Sequence, residues 1–251
     1  MRRSSSRALR LFALPAAALF ALTACGSPPP PAAPEPPAAA PTAEPVAAPV
    51  EKAPEKLPAA CADAAAKVCA PPAAFVKRLC AGFFPEVALA MHAKGTPWTR
   101  AWLRVKSVEA WNASGGVSSA DKVVFDEELI VLTHREAATG GMVVSGASGG
   151  YDVLRWDGSC ATLSGDEVTF KPSPTPKAAK IPWKNLDDKL QAALLADPKI
   201  EKTYTERRKE CKGATMGDVS LKCEKADDQL SADVVSFVRR GGALPPPSKL
   251  P

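Results

Sequence analysis

Seven cysteines constrain this 251-residue chain more than any other feature. Cys25 stands apart, at the end of a leader in which Arg2, Arg3, Arg7 and Arg10 precede the apolar run Leu11 to Leu22. That run is too short to span a bilayer, and its layout predicts a secretory signal peptide over residues 1–24. An exported chain escapes the reducing cytosol. The other six cysteines, Cys61, Cys69, Cys80, Cys160, Cys211 and Cys223, therefore predict three disulfides, with about fifteen pairings open.

Geometry narrows the choice. If Cys61 and Cys69 share a helix, eight residues at a rise of about 1.5 Å put their Cα atoms about 12 Å apart, too far to bridge. Cys211 ends one predicted helix and Cys223 opens the next, so the Cys211–Cys223 bridge is favoured, and closing that loop contributes about 3 kcal/mol. Parity then places Cys160 on one of the three N-terminal cysteines and staples the β region to the first helices. A metal site is not expected: there is no C-x-x-C, and His92 and His134 lie far from paired cysteines. No cofactor is expected.

The junction Leu22-Thr23-Ala24-Cys25-Gly26 resembles the lipobox of bacterial lipoproteins. That resemblance implies a diacylglyceryl group on the Cys25 sulfur, cleavage before Cys25, and attachment to a membrane through the lipid. Gly26 and Ser27 lack the Asp that marks inner-membrane retention in that family, so the outer membrane, facing the periplasm, is the expected address. From Gly26 to Leu57 the chain is mostly Pro and Ala, which cannot bury a core. In polyproline II it extends about 3.1 Å per residue, enough for a tether of roughly 100 Å. Four of the 32 basic residues sit in the leader, leaving 28 against 27 acidic ones from residue 25 onward. The pI of about 8.8 therefore belongs largely to the leader, and no nucleic-acid partner is expected.

The rest divides into blocks. Residues 58–93 are predicted helical, with Leu57, Cys61, Ala64 and Val68 on one face, a break at Pro71-Pro72, and Phe75, Leu79 and Phe83 resuming the spacing. Residues 94–170 are predicted β-rich. Ala101, Leu103 and Val105 alternate with Trp102 and Arg104, Val123 to Thr133 forms a second strand region, and Asp157-Gly158 marks a hairpin within Tyr151 to Leu163. That turn is expected to put Leu154, Trp156, Ala161 and Leu163 on one face and Cys160 on the other. Gly140-Gly141 and Gly146 to Gly150 bracket a short strand at Met142 to Ser145. A Pro-rich loop, 171–182, leads to C-terminal helices over 183–242. Asn185 is the expected first cap, Pro198 the next start, and Gly241-Gly242 the last stop. The Pro-rich tail 243–251 is expected to be disordered.

The β block resembles bacterial SH3-like domains in the order of its features: an opening strand, the acidic turn and strand Phe125-Asp126-Glu127-Glu128-Leu129-Ile130-Val131-Leu132, then the hairpin Tyr151 to Leu163. Cys160-Ala161-Thr162 stands where a closing aromatic would be. The fold class read from all this is α+β: a small antiparallel barrel or sheet, SH3-like on the resemblance, flanked by helices and stapled by disulfides.

Catalytic signatures for serine hydrolases, zinc proteases, P-loops and dinucleotide folds are missing. Asp126, Glu127 and Glu128 invite a carboxylate pair for glycoside hydrolysis, but three acids entering a strand are ordinarily solvated. The candidate binding face is Trp98, Arg100, Trp102 and Arg104, which a single strand over 98–106 would present together, for stacking on sugars or holding an anionic polymer. Coverage of those rings by the flanking helices is the competing expectation. The functional expectation is a non-catalytic, lipid-anchored envelope protein that binds or scaffolds a cell-wall polymer or another envelope protein. A carboxylate-dependent hydrolase of envelope polymers and an accessory subunit of an envelope machine are the alternatives.

Overall fold

The computed structural model describes residues 56–64, 66–109, 122–135, 149–214 and 219–251. The leader, Cys25, the tether up to residue 55 and the strand read at Met142 to Ser145 lie outside the described residues. The described residues all belong to one unit of mixed α and β structure.

Among the described residues from Lys56 to Pro72 there is no helix. Cys61 and Cys69 are bridged, with Cα atoms 4.9 Å apart. This corrects the helical reading: the apolar spacing suited a helix, yet the covalent bond requires a closed loop, sealed by the Ala62 N–H donating to Ala70 O at 2.9 Å. Helix begins after Pro71-Pro72, at α1 (Ala73–Ala81), followed by α2 (Pro85–His92).

Four longer strands and one short one make an antiparallel sheet. They are β1 (Arg100–Leu103), β4 (Glu128–Arg135), β5 (Gly150–Leu154), β6 (Cys160–Ser164) and β7 (Val168–Thr169), in the order β6-β5-β4-β1-β7. A separate pair, β2 (Ser107–Val108) and β3 (Val123–Val124), forms the second sheet. Strands β6 and β7 stand at opposite edges, yet only Gly165 to Glu167 separate them in sequence. The sheet therefore curls strongly. It does not close, so the SH3-like barrel implied by the resemblance is not formed among the described residues.

The concave face buries Ala101, Leu103, Leu129, Val131, Val153 and Leu163 against Val123 of the small sheet. The other face carries Ile130, Leu132, Leu154 and Cys160, and α1 and α2 cover it with Phe75, Leu79, Val87 and Met91. Because both faces are covered, β4 is apolar through Leu129, Ile130, Val131 and Leu132 without alternation. A disulfide between Cys80 and Cys160 fastens α1 to β6.

The hairpin has a register one residue from the sequence reading. Leu154 pairs with Cys160 and Val153 with Ala161. Arg155 and Ser159 close a three-residue loop, Trp156-Asp157-Gly158, in which Gly158 takes φ 92°. A three-residue loop with glycine in the left-handed position is an established hairpin form, and the one-residue slip exchanges the faces. Cys160 thus shares a face with Leu154, while Ala161 and Leu163 turn to the concave side.

Loop 171–182 is irregular and touches the sheet through a parallel bridge from Lys177 to Glu127. A 3-10 turn at Trp183–Asn185 follows, then α3 (Asp188–Leu195), α4 (Pro198–Glu210) and α5 (Leu221–Arg240). Asp187 caps α3, accepting from the Leu190 N–H at 2.6 Å; Asn185 is used up in the 3-10 turn. Asp197 caps α4 ahead of Pro198, and Ser220 caps α5, which ends at Gly241 with φ 89°. Ala226, Leu230, Val234 and Val238 recur every fourth residue on α5, and its buried stripe packs against Leu89, Trp156, Trp183, Leu190 and Ile200. Cys211 and Cys223 are bridged across the α4–α5 connection.

The tail 243–251 is docked, not loose. Leu244 and Leu250 join the packed clusters, Ser248 donates its N–H and hydroxyl to Glu86 Oε2 at 3.2 and 3.1 Å, and Arg78 Nε donates to Pro251 O at 3.2 Å. Prolines 245 to 247 rule out a helix, but they also lower the entropy lost on laying the segment along α2.

Candidate functional site

The Trp/Arg face read from the sequence does not exist as a binding face. Only Arg100 to Leu103 is strand, and Trp98 and Trp102 retain 5% and 8% of their exposure. Trp98 packs with Phe75, Val76 and Met91 under α1 and α2. Arg100 is ion-paired to Glu128, and Arg104 bonds the Asp166 carbonyl. Alternation marked two different faces, but both are covered.

In the acidic turn Asp126 is half-buried, while the two glutamates are withdrawn from solvent. Glu127 and Glu128 are 0% and 3% exposed. Arg155 Nε donates to Glu127 Oε1 at 2.7 Å, and the Val124 N–H donates to Oε2 at 3.1 Å. Burial pushes the Glu127 carboxyl up, against the pull of Arg155. Glu128 accepts from Arg100 and, at 2.6 and 2.9 Å, from Arg239. Arg239 lies 5.2 Å over the Trp156 ring, and Trp156 stacks on His92 at 4.1 Å. The result is a charged seam joining β1, β4, the hairpin, α2 and α5. Burial holds the His92 imidazole well below its usual range, aided by Arg100 and Arg239. Its ring nitrogens have no hydrogen-bond partner among the described residues; the Leu154 backbone, which opposes the drop, does not reach bonding geometry. His134 sits at the exposed end of β4 beside Tyr151. Glycoside hydrolysis requires two carboxyls facing a substrate cleft, and these two face arginines inside the core.

The concave surface lies elsewhere, where segment 180–187 crosses α4 and α5. One hollow, of about 480 Å³, is lined by Lys180, Lys184, Arg207, Arg208, Asp227 and the Cys211–Cys223 bridge, among others. A neighbouring hollow of about 430 Å³ shares Lys180, Lys184, Arg207 and Asp227 and adds Phe83 and Asn185. A third, of about 490 Å³, continues from Phe83, Lys184 and Asn185 to Lys249. Together they form a trough.

Asp227 organises its cations. It accepts from Lys180 Nζ at 2.9 Å and pairs with Arg207, while Asp228 holds Lys180 from the other side at 3.1 Å. Burial works against the Asp227 carboxylate, but Lys180 and Arg207 bring it below the usual range. Trp183 is buried beneath; Tyr204 packs on it at 5.0 Å, and the Arg208 guanidinium lies 6.0 Å from the Tyr204 ring. Segment 180–187 is held because Glu86 Oε1 accepts the Asp187 N–H at 2.8 Å. The Phe83 ring is 46% exposed at the rim.

Nothing in the sequence marks Lys180, Lys184, Arg207, Arg208, Phe83 or Asp227 as site residues: Asp227 is 47 residues from Lys180, and nothing local joins them. A second concavity, about 350 Å³, lies between α2 and the tail and is lined mainly by Leu57, Ala90, Leu244 and prolines. Among the described residues no three His, Cys, Asp or Glu side chains gather as a metal cluster, and no helix is long and apolar enough to cross a membrane. No protein-family model, curated protein or solved structure matches this chain.

Proposed function

We propose that this chain is a lipid-anchored, non-catalytic binding protein of the bacterial envelope, held to a membrane through Cys25 and engaging its partner at the trough between segment 180–187 and the α4–α5 pair. The observation that carries this reading is the organisation of the trough. Its cations are positioned by Asp227, Asp228 and Tyr204 around open space, whereas the carboxylates best placed in sequence for chemistry, Glu127 and Glu128, are engaged by arginines in the interior. The Pro/Ala-rich stretch from Gly26 to Leu57 supplies reach, so the partner, a cell-wall polymer or another envelope protein, lies away from the anchoring surface; Gly26 and Ser27, in place of an Asp, favour the outer membrane as that surface.

Two measurements test this. Mass spectrometry of the exported protein is expected to find acyl chains on an N-terminal Cys25; an unmodified amino end refutes the anchoring. A photocrosslinking residue at position 185, in the trough, is expected to capture envelope material in native cells far more efficiently than one at position 166, on the β6–β7 turn. Equal capture from both positions refutes the trough as the docking place.

A further inference from the structure

We propose that the trough binds an acidic polysaccharide, with Lys184 and Arg208 holding its anionic groups and Phe83 and Asn185 meeting the sugar itself; this deepens the binding role proposed above and rests on it. Four cations, Lys180, Lys184, Arg207 and Arg208, face two carboxylates, Asp227 and Glu224, in the hollow beside the Cys211–Cys223 bridge. Asp227 is engaged by Lys180 and Arg207, which fixes those two in place. Lys184 and Arg208 have no carboxylate within 4 Å among the described residues. Arg208 lies beside the Tyr204 ring, its guanidinium 6.0 Å from the centroid, and Tyr204 packs tilted on Trp183. Cations lining one hollow add their fields wherever they lie closer than the Debye length, about 8 Å at physiological salt. An anion entering that hollow meets a net positive lining, whereas the middle hollow adds Asp157 and the third adds Glu86 and Asp187 against Lys249, so the positive excess is concentrated in the first hollow.

The shape selects a chain over a single small anion. Three hollows of about 480, 430 and 490 Å³ share residues in sequence, so the space is elongated and much larger than one carboxylate needs. The middle hollow combines the half-exposed Phe83 ring with Asn185, whose side-chain amide has no partner among the described residues. An aromatic face suits the apolar side of a sugar ring, and an amide offers both donor and acceptor to hydroxyls. Ring and amide in the middle hollow, next to the cationic first hollow, match a uronic-acid type of unit: pyranose and hydroxyls in the one, carboxylate in the other.

The test uses the full mature chain, solubilised in detergent, against three immobilised probes: polygalacturonate, neutral dextran and inorganic polyphosphate. The expected result is salt-sensitive binding to polygalacturonate and none to dextran. Lys184→Gln with Arg208→Gln is expected to weaken it at least tenfold, and Phe83→Ala about threefold. Lys67→Gln with Lys77→Gln, the same charge change on exposed positions outside the trough, is expected to change it less than twofold. Unaltered circular dichroism and melting are required of each variant. Equal losses in the two double variants would overturn the site, since net charge alone would then explain binding. Polyphosphate binding as strong as polygalacturonate binding and unaffected by Phe83→Ala would overturn the sugar assignment. Failure to bind polygalacturonate overturns the ligand class, while strong capture at position 185 keeps the binding role standing.

Discussion

The three disulfides close loops of very different length, which predicts unequal contributions to stability. Sequence separations are 80 for Cys80–Cys160, 12 for Cys211–Cys223 and 8 for Cys61–Cys69. In the chain-entropy treatment, cross-linking restricts the unfolded chain by an amount that grows with the logarithm of loop length. The expected contributions are about 4.5, about 2.8 and about 2.5 kcal/mol respectively. The native side adds to the ranking, because Cys160 is buried in the cluster under α1 and α2. Replacing each pair by alanines in the mature chain and measuring urea denaturation should therefore cost most for Cys80→Ala with Cys160→Ala. A loss of about 4.5 kcal/mol is a large part of an ordinary domain's 5–15 kcal/mol, and lowers the melting temperature by roughly 9–18 °C. The same variant is expected to have the steepest denaturant dependence, since its unfolded chain expands furthest. If the three double variants lose equal stability, or the Cys61–Cys69 variant loses most, the loop-length reasoning fails.

Other expectations follow from the charged seam and the hairpin. Arg155→Met leaves Glu127 buried without its partner and is expected to cost about 3–5 kcal/mol, whereas Arg155→Met with Glu127→Leu costs clearly less; urea titration of both variants checks the difference. His92 binds its proton more weakly folded than unfolded, so the stability it contributes is present above pH about 6.5 and lost as pH falls below it. Glu127, raised by burial, acts in the opposite sense, so the measurement is the difference in stability between the native chain and His92→Phe at pH 7.5 and 5.5; parallel curves would remove the role given to His92. Gly158→Ala forces a Cβ to about 2.4 Å from the Pro85 nitrogen at positive φ, and should destabilise by at least about 2 kcal/mol in thermal melts.

What could be read from sequence depended on how local the cause was. The α5 stripe, its stop at Gly241 and the tight turn around Gly158 are local patterns, and each has its residue-level signature. The hairpin register was not legible, because Asp-Gly fits two-residue and three-residue loops alike and only the packing of Leu154 and Cys160 under α1 chooses. The Cys61–Cys69 loop was hidden by an apolar spacing that also suits a helix. Glu127 and Glu128 looked solvated because their partners, Arg155, Arg100 and Arg239, lie 28 to 111 residues away. The candidate site was obscured for the same reason: Lys180, Arg207 and Asp227 meet only once α4 and α5 are packed side by side.

The small Cys61–Cys69 ring has a mechanical meaning. Tension applied at Lys56 crosses from Cys61 to Cys69 through covalent sulfur and bypasses residues 62–68. It is delivered at Cys69, whose N–H and C=O are both bonded to Thr99, next to β1. A pull on the chain from upstream is thereby handed to the contact between Cys69 and Thr99 at the start of the sheet without opening the ring.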